Sequence, residues 1–295
     1  MSKPVSNAVY IPLALLFSLL WASAFIAVKS ALSSTTPLFL MGFRFVLAGV
    51  ILLAIAFLFG KGLKGFAAMS RSDWGKLAVL GLLNNAAYLG IAAVSLQDLS
   101  GGMGAVLASV SPLMLAVAAM FVLKERLGVV KVAGLVTAFA SIAGIMQSRT
   151  EAGESLASMA LLLFGNVFLV AGAILFKRWS PEGSLMTING VQLLAAGLVL
   201  LPVVLLFEPT GTVEWDAGFL VPLLYLTLVV SCGAMAIWFF MLRSGDASRA
   251  GSFFFLNPVF GLILGALVLG EVFRLTDLIG IAGVALGIYL VQRSG

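Results

Sequence analysis

The sequence predicts an all-α membrane protein with ten transmembrane helices, arranged as two inverted five-helix repeats with both termini in the cytoplasm. Composition is the first observation: 62% of the residues are hydrophobic and 10% are charged, against roughly 25% charged in an average soluble domain. The second observation is a series of uncharged stretches long enough to cross a bilayer. The third is the sorting of basic residues between alternate loops. No segment has the pattern of a soluble domain.

Ten uncharged stretches define the predicted helices. The first contains Ala22-Ser23-Ala24 and shares features with a cleaved signal peptide, but its counterpart in the second half is a membrane span, which favours a span here. The fifth is the shortest. In chain order, the stretches lie between Lys3 and Lys29, from Pro37 to Phe59, between Lys76 and Asp98, between Asp98 and Lys124, from Val132 to Gln147, between Glu154 and Lys177, between Glu182 and Glu208, between Asp216 and Arg243, between Arg249 and Glu271, and between Asp277 and Arg293.

The second half of the chain repeats the first. Residues 42–49 read GFRFVLAG and align with residues 190–197, GVQLLAAG, at an offset of 148 residues. This alignment places Gln192 opposite Arg44. Matched glycines at fixed spacing carry more weight than matched apolar residues, because apolar matches are frequent in such a composition. The predicted repeats are therefore residues 1–148 and 149–295.

Each repeat also carries a proline inside an uncharged run. Pro112 is followed thirteen residues later by Glu125, and Pro258 is followed at the same spacing by Glu271. Proline removes a backbone hydrogen bond and usually kinks a helix, so Pro112 and Pro258 are predicted to mark bends beside a central cavity. The two glutamates end their helices, and we expect them to bond neighbouring loops or helix ends rather than a substrate.

Lysine and arginine orient the chain. With the N-terminus inside, the inner segments hold 13 of the 17 basic residues, and the outer loops hold only Lys29, Arg149 and Arg274. Such an excess in short loops marks the cytoplasmic side. Because each half has an odd number of helices, the second repeat enters the membrane upside down. Inverted repeats place a substrate site near the midplane and support alternating access.

The chain resembles the drug/metabolite transporter superfamily and, within it, the ten-helix EamA-type branch. The resemblance rests on the two five-helix halves, on the proline and glutamate late in each half, and on Arg44 early in the second helix. It extends over essentially the whole chain, and among members the sequence is similar to bacterial aromatic amino-acid exporters. The resemblance implies multi-pass insertion in a bacterial inner membrane and transport of small metabolites through a cavity between the halves. Gln192 departs from it, because the arginine is not duplicated.

Arg44 lies within a predicted membrane helix and has two interpretations. A guanidinium can hold a substrate carboxylate through two hydrogen bonds. Alternatively, Arg44 bonds carbonyls or polar groups of neighbouring helices, which the resemblance favours because members with different substrates share this arginine. The structural interpretation predicts that Arg44→Gln mainly reduces stability, since glutamine occupies the symmetric position.

Other polar and aromatic side chains at membrane depth are candidate substrate ligands. Amide and aromatic groups together could hold the ammonium, carboxylate and side chain of an amino acid. Interhelical hydrogen bonding is the alternative, at about 0.6 kcal/mol per bond. Asn84 and Tyr88 share one face of the third helix. The full set is Trp21, Asn84, Tyr88, Ser111, Asn166, Trp238 and Asn257.

Several chemistries are excluded by what the chain lacks. It has no histidine and one cysteine, Cys232, which rules out histidine-based triads, zinc sites of cysteine and histidine, and an internal disulfide. The basic residues form no continuous face for nucleic acid. We expect no enzymatic activity, cofactor or metal. The expected partners are the lipid bilayer and a small-molecule substrate, and a single copy of the chain is expected to suffice.

The acidic residues bear on energy coupling. All twelve lie in predicted loops or at helix ends, whereas a proton antiporter normally carries its proton on an acid or histidine within the membrane. The sequence therefore predicts a facilitator that exports small metabolites by alternating access, with amino acids, including aromatic ones, as the favoured substrates. The alternative is an exporter of drug-like compounds or of another metabolite class, with proton coupling open.

Overall fold

The computed structural model describes residues 7–60, 66, 69–123, 128–209, 213–244, 256–272 and 274–293. Every regular element within these residues is a helix, as the sequence predicts. In chain order they are α1 (Asn7–Ala31), α2 (Pro37–Phe59), α3 (Arg71–Ser95), α4 (Gly101–Ala108), α5 (Ser111–Leu123), α6 (Val129–Glu151), α7 (Leu156–Trp179), α8 (Leu185–Phe207), α9 (Ala217–Leu224, continuing through Tyr225–Ala234 and Met235–Ser244), α10 (Leu256–Leu269) and α11 (Leu275–Arg293).

Within the described residues, seven helices are long and apolar enough to cross a membrane: α1, α2, α3, α6, α7, α8 and α9. Three shorter apolar helices cover 101–115, 256–269 and 275–290. The predicted fifth stretch is not short, because α6 runs over Val129–Glu151 and continues past Gln147. Arg149 does not end this helix because its side chain is buried and paired with acidic residues.

Helices α3 and α9 share a departure from regular α geometry. The segments Leu82–Leu89 of α3 and Tyr225–Ala234 of α9 are π-helical. A π-helical segment widens the helix and occurs frequently at functional sites. The corresponding parts of α3 and α9 therefore share the same irregular helix geometry.

The packing partners follow a repeated pattern. If the two halves are exchanged, α1 corresponds to α7, α2 to α8, α3 to α9, α4 and α5 to α10, and α6 to α11. The contacts α2–α8 and α6–α11 then map onto themselves, while α1–α9 maps onto α7–α3 and α2–α9 onto α8–α3. All of these contacts are present, so the helices pack with approximate two-fold symmetry.

The α2–α8 crossing uses the glycines of the repeated stretch. A Cβ atom at Gly197 would lie 2.7 Å from the backbone nitrogen of Val46 and 2.8 Å from the carbonyl oxygen of Gly42. A Cβ atom at Gly49 would lie 2.7 Å from the backbone nitrogen of Leu194. Such approaches leave no room for a side chain, and small residues of this kind let membrane helices pack closely.

Two carboxylates cap helices at one end of the bundle. Glu208, after α8, accepts hydrogen bonds from the backbone nitrogens of Leu38 (2.8 Å) and Phe39 (2.9 Å) at the start of α2. Glu271, after α10, accepts them from Gly101 (2.6 Å) and Gly102 (3.0 Å) at the start of α4. Negative charge stabilises a helix N-terminus. Glu271 therefore bonds a helix end, as expected, while Glu125 lies outside the described residues.

We call the end of the bundle where Glu208 and Glu271 cap helices the Glu208 end. A buried ionic network lies at the same end. Arg149, near the end of α6, donates to both carboxylate oxygens of Asp277 in α11, at 3.0 and 2.7 Å. It also bonds Glu154, at 3.2 Å, just before α7. Glu154 in turn accepts a hydrogen bond from the hydroxyl of Ser100, which precedes α4. Lys29, in the last turn of α1, bonds the carbonyl of Leu96 at the same end. Thus α1 ends where its counterpart α7 begins.

Candidate functional site

A small, partly open cavity lies among α1, α2, α3 and α9. Its volume is about 30 Å³, room for one or two water molecules. Trp21 and Phe25 of α1 supply aromatic surface. Val230 of α9 also lines the cavity, so both halves of the chain contribute to it. Apart from Arg44, all of its lining side chains are apolar. The cavity therefore combines an apolar wall with a single cationic group.

Arg44 is buried and bonds across to α9. Its side chain is 4% exposed, and its Nε donates to the hydroxyl of Ser231 at 3.0 Å. One terminal nitrogen approaches the sulfur of Met41 at 3.8 Å, and the guanidinium lies 5.3 Å from the ring centre of Phe45. Ser231 belongs to the π-helical segment of α9. Arg44 thus has a structural contact, and it also lines the cavity.

The same contact recurs in the other half. Gln192 of α8 accepts a hydrogen bond from the amide nitrogen of Asn84 at 3.3 Å, and Asn84 lies in the π-helical segment of α3. Asn84 precedes Ser231 by 147 residues, while Arg44 precedes Gln192 by 148. The bonds Arg44–Ser231 and Asn84–Gln192 are therefore equivalent under exchange of the halves. Each joins an arginine or glutamine to a π-helical segment.

The two candidate tryptophans, Trp21 and Trp238, are connected through Phe17. Trp21 lines the cavity, and Phe17 of α1 lies 5.7 Å from it between ring centres. Phe17 stacks on Trp238 of α9, with the ring centres 5.1 Å apart. The structure thus brings Trp21 and Arg44 to one cavity, while Trp238 is connected to that cavity through Phe17.

Several candidate polar groups are buried away from the lining. Within the described residues, the hydroxyl of Tyr88 has no hydrogen-bond partner, and neither has any side-chain polar atom of Asn257. The amide oxygens of Asn84 and Asn166 are likewise unpaired there. Each of these side chains therefore has unused hydrogen-bonding capacity. Buried polar groups are usually hydrogen-bonded, so these exceptions call for an explanation.

The break at Pro112 is stabilised by side chains. The predicted fourth helix is divided into α4 and α5 directly before Ser111-Pro112. Proline cannot donate to the carbonyl four residues earlier, and the hydroxyl of Ser111 bonds that carbonyl, of Ala108, at 2.9 Å. Asn166 bonds the carbonyl of Leu107 at 2.8 Å. Ser111 and Asn166 are thus engaged with backbone carbonyls at the break.

Pro258 and its neighbour lie in a different setting. Pro258 and Asn257 are in the first turn of α10, which begins at Leu256, and both are buried. Residues 245–255, which precede them, lie outside the described residues. The predicted bend at Pro258 falls partly on that segment.

Two residues of the site, Ser231 and Phe25, were not identified from the sequence. Ser231 is one serine in an apolar run, and only the repeat offset, which pairs it with Asn84, could have indicated it. Phe25 resembles any other core aromatic. The π-helical segments of α3 and α9 were not predicted from the sequence either.

A bundle of helices of membrane-spanning length, with a cavity between helices from both halves, defines a multi-pass membrane protein of the kind that transports small molecules. The chain belongs to the EamA-like transporter family, which matches residues 8–147 and again residues 156–293. Membership confirms the resemblance to the EamA-type branch of the drug/metabolite transporter superfamily. The family and its named members indicate a transporter of unspecified substrate.

Relatives of this chain occur in plants and bacteria. A chloroplastic WAT1-related protein of Arabidopsis thaliana is 28% identical over 92% of this chain and 66% of its own length. The uncharacterized transporter YvbV of Bacillus subtilis is 25% identical over 93% and 88% of the two chains. Protein PecM of Dickeya dadantii is 28% identical over 92% and 88%. A crystal structure matches the fold with a TM-score of 0.70 at 18% identity, covering 97% of this chain and 96% of its own.

Proposed function

We propose that this protein is a secondary transporter that exports small metabolites by alternating access. Amino acids, including aromatic ones, are its favoured substrates. The observation that carries the proposal is the cavity that α1, α2 and α3 of the first half form with α9 of the second. Transport by such a protein requires a site that both halves reach. The helix contacts that are equivalent when the two halves are exchanged support a division into repeats 1–148 and 149–295.

We propose ten spans in which the two repeats are inverted and both termini are cytoplasmic. Seven long helices and three shorter apolar helices together supply ten. The inversion is supported at the Glu208 end, where α1 ends and α7 begins. The orientation rests on the 13 basic residues of the inner segments.

Cysteine labelling in intact cells tests this orientation. In a Cys232→Ser background, Arg71→Cys is exposed on the proposed inner side and Gln97→Cys on the proposed outer side. An impermeant maleimide should label the variant at 97 and fail to label the variant at 71. The reverse labelling would overturn the orientation.

The transport mode is proposed to be facilitation. Ten of the twelve acidic residues are described, and each lies in a loop or within the first or last turn of a helix. The described membrane depth therefore offers no carboxylate to carry a proton. The substrate would move down its own gradient, which suits relief of an overfilled cytoplasmic pool.

Sealed liposomes test both transport and its mode. Purified protein should equilibrate radiolabelled phenylalanine and leucine across the membrane faster than protein-free liposomes. An imposed pH gradient should leave the final distribution unchanged. Accumulation above equilibrium that a protonophore abolishes would replace facilitation with proton coupling, and no uptake of any amino acid would refute the proposed substrate class.

The proposed binding and gating residues are those predicted from the sequence. Trp21 supplies aromatic surface, and Tyr88 and Asn257 have buried polar atoms that a substrate could satisfy during the transport cycle. Pro112 and Pro258 are proposed to act where helices bend. The setting is a bacterial inner membrane, and one copy of the chain is proposed to suffice.

A further inference from the structure

Arg44 and its symmetric counterpart, Gln192, make equivalent contacts with a neighbouring helix, but only Arg44 is charged. Gln192 makes the equivalent bond, to Asn84, with a neutral amide. Joining α2 to the π-helical segment of α9 therefore does not require a guanidinium. Burying a charge costs far more than burying an amide unless the charge is paired. The positive charge needs a reason other than the bond to Ser231.

No carboxylate pairs with Arg44 in the described part of the chain. The ion pairs found there involve Lys76 and Arg149. Arg44 has five N–H donors, and its protein acceptors there are one hydroxyl and one sulfur. The side chain that carries the remaining donors also lines the cavity. A buried guanidinium with free donors at a cavity is suited to an anionic ligand.

We propose that this cavity widens during the transport cycle and then binds the carboxylate of an organic anion on Arg44, with the apolar body of the ligand against Trp21 and Phe25. The inference rests on the proposed function and deepens it by naming the chemical class that the site selects. The described lining has no acidic residue, so it offers no partner for a ligand ammonium. An apolar carboxylate should therefore bind at least as well as the corresponding amino acid, and the corresponding amine should be rejected.

A series of ligands of similar shape tests this selection. Binding of 3-phenylpropionate, 3-phenylpropanamide, 3-phenylpropylamine and L-phenylalanine to the detergent-solubilised full chain is measured by isothermal titration. The carboxylate should bind about tenfold or more tightly than the amide, because a hydrogen bond to a charged group is worth more than one between neutral groups. The amine should bind no better than the amide. Equal affinity for carboxylate and amide would overturn the proposal.

Variants separate the charge from the helix contact. Arg44→Gln should lose the preference for the carboxylate and leave the weak affinity for the amide unchanged. Arg71→Gln makes the same substitution at an exposed site and should bind like the wild type. Ser231→Ala removes the hydroxyl partner but keeps the charge, so the preference should persist. If Arg44→Gln retains the preference, the proposal fails; if it does not fold, the ligand series on the wild type still decides.

The proposal can fail independently of the transport function. Liposomes that equilibrate aromatic amines or amides but exclude carboxylates would refute anion selection and leave transport intact. Conversely, tight carboxylate binding with no flux of any compound would support the site and refute transport.

Discussion

The ion pair between Arg149 and Asp277 allows a quantitative test of the Glu208 end. Its side chains are 7% and 1% exposed, and Asp277 accepts two hydrogen bonds from the guanidinium. Breaking a buried pair by removing one partner costs about 3–5 kcal/mol, because an uncompensated charge remains. In Asp277→Ala, Arg149 keeps Glu154 at 3.2 Å. We therefore expect a loss near the lower limit, about 3 kcal/mol.

A double variant separates the pairing from the burial. Replacing a buried pair by apolar residues of similar size is often close to neutral. Arg149→Met with Asp277→Leu should accordingly recover at least half of the loss, about 1.5 kcal/mol. The free energy of unfolding would be measured by SDS-induced unfolding in mixed micelles.

An exposed ion pair in the same chain is the matched control. Lys76 and Asp73 pair at 3.0 Å, with side chains 30% and 13% exposed, and exposed pairs typically contribute about 0–1 kcal/mol. Asp73→Ala also removes a helix-capping contact with Ser70, so Lys76→Met is the cleaner control. If Asp277→Ala costs no more than Lys76→Met, the buried network does not stabilise the Glu208 end.

Two further predictions use the same unfolding measurement. Glu271→Gln removes the charged acceptor for two backbone nitrogens at the start of α4 and should cost about 1–2 kcal/mol; a change below about 0.5 kcal/mol would show that this cap is not stabilising. Gly197→Ala should destabilise the α2–α8 crossing by about 1–3 kcal/mol because its Cβ has no room. At Gly144, within α6, a Cβ would meet nothing within 4 Å, so Gly144→Ala should stabilise by about 0.5–1 kcal/mol; the same sign for both would contradict the packing argument.

The helical class and the repeat could be predicted because both depend on local patterns. Uncharged runs gave the helices, and the repeated stretch around Arg44 and Gln192 lies at the α2–α8 crossing. The break before Pro112 also follows from local chemistry. The predicted extent of α6 was wrong because a charged residue, Arg149, suggested the end of the helix. Arg149 is instead paired with Asp277, which is 128 residues away in the sequence. A long-range pair cannot be recognised from one sequence alone.

The candidate site was only partly foreseeable for the same reason. Arg44 and Trp21 stood out by residue type and lie on one cavity. The partner of Arg44 did not, because Ser231 lies 187 residues away. Ser111 and Asn166 were predicted as substrate ligands from their polarity, and the structure shows that both bond carbonyls at the helix break. Polarity identifies groups that need partners, but it does not identify the partners.

The symmetry of the two bonds makes a final prediction about Arg44→Gln. The structural interpretation of Arg44 predicts that this change mainly lowers stability. The bond between Gln192 and Asn84 argues otherwise, because a glutamine at the equivalent position joins the equivalent helices without a charge. Replacing an unpaired buried charge by an amide should leave stability unchanged or raise it by about 1 kcal/mol in the absence of ligand.

Functional sites often retain groups that reduce stability, and this substitution tests whether Arg44 is one of them. The free energy of unfolding of Arg44→Gln would be compared with that of Ser231→Ala, which removes the bond and leaves the charge. We expect Ser231→Ala to be the less stable of the two, because it leaves the guanidinium without its hydroxyl partner. If Arg44→Gln is instead less stable than the wild type by more than about 1 kcal/mol, the guanidinium holds the helices together. Its charge then needs no ligand to explain it.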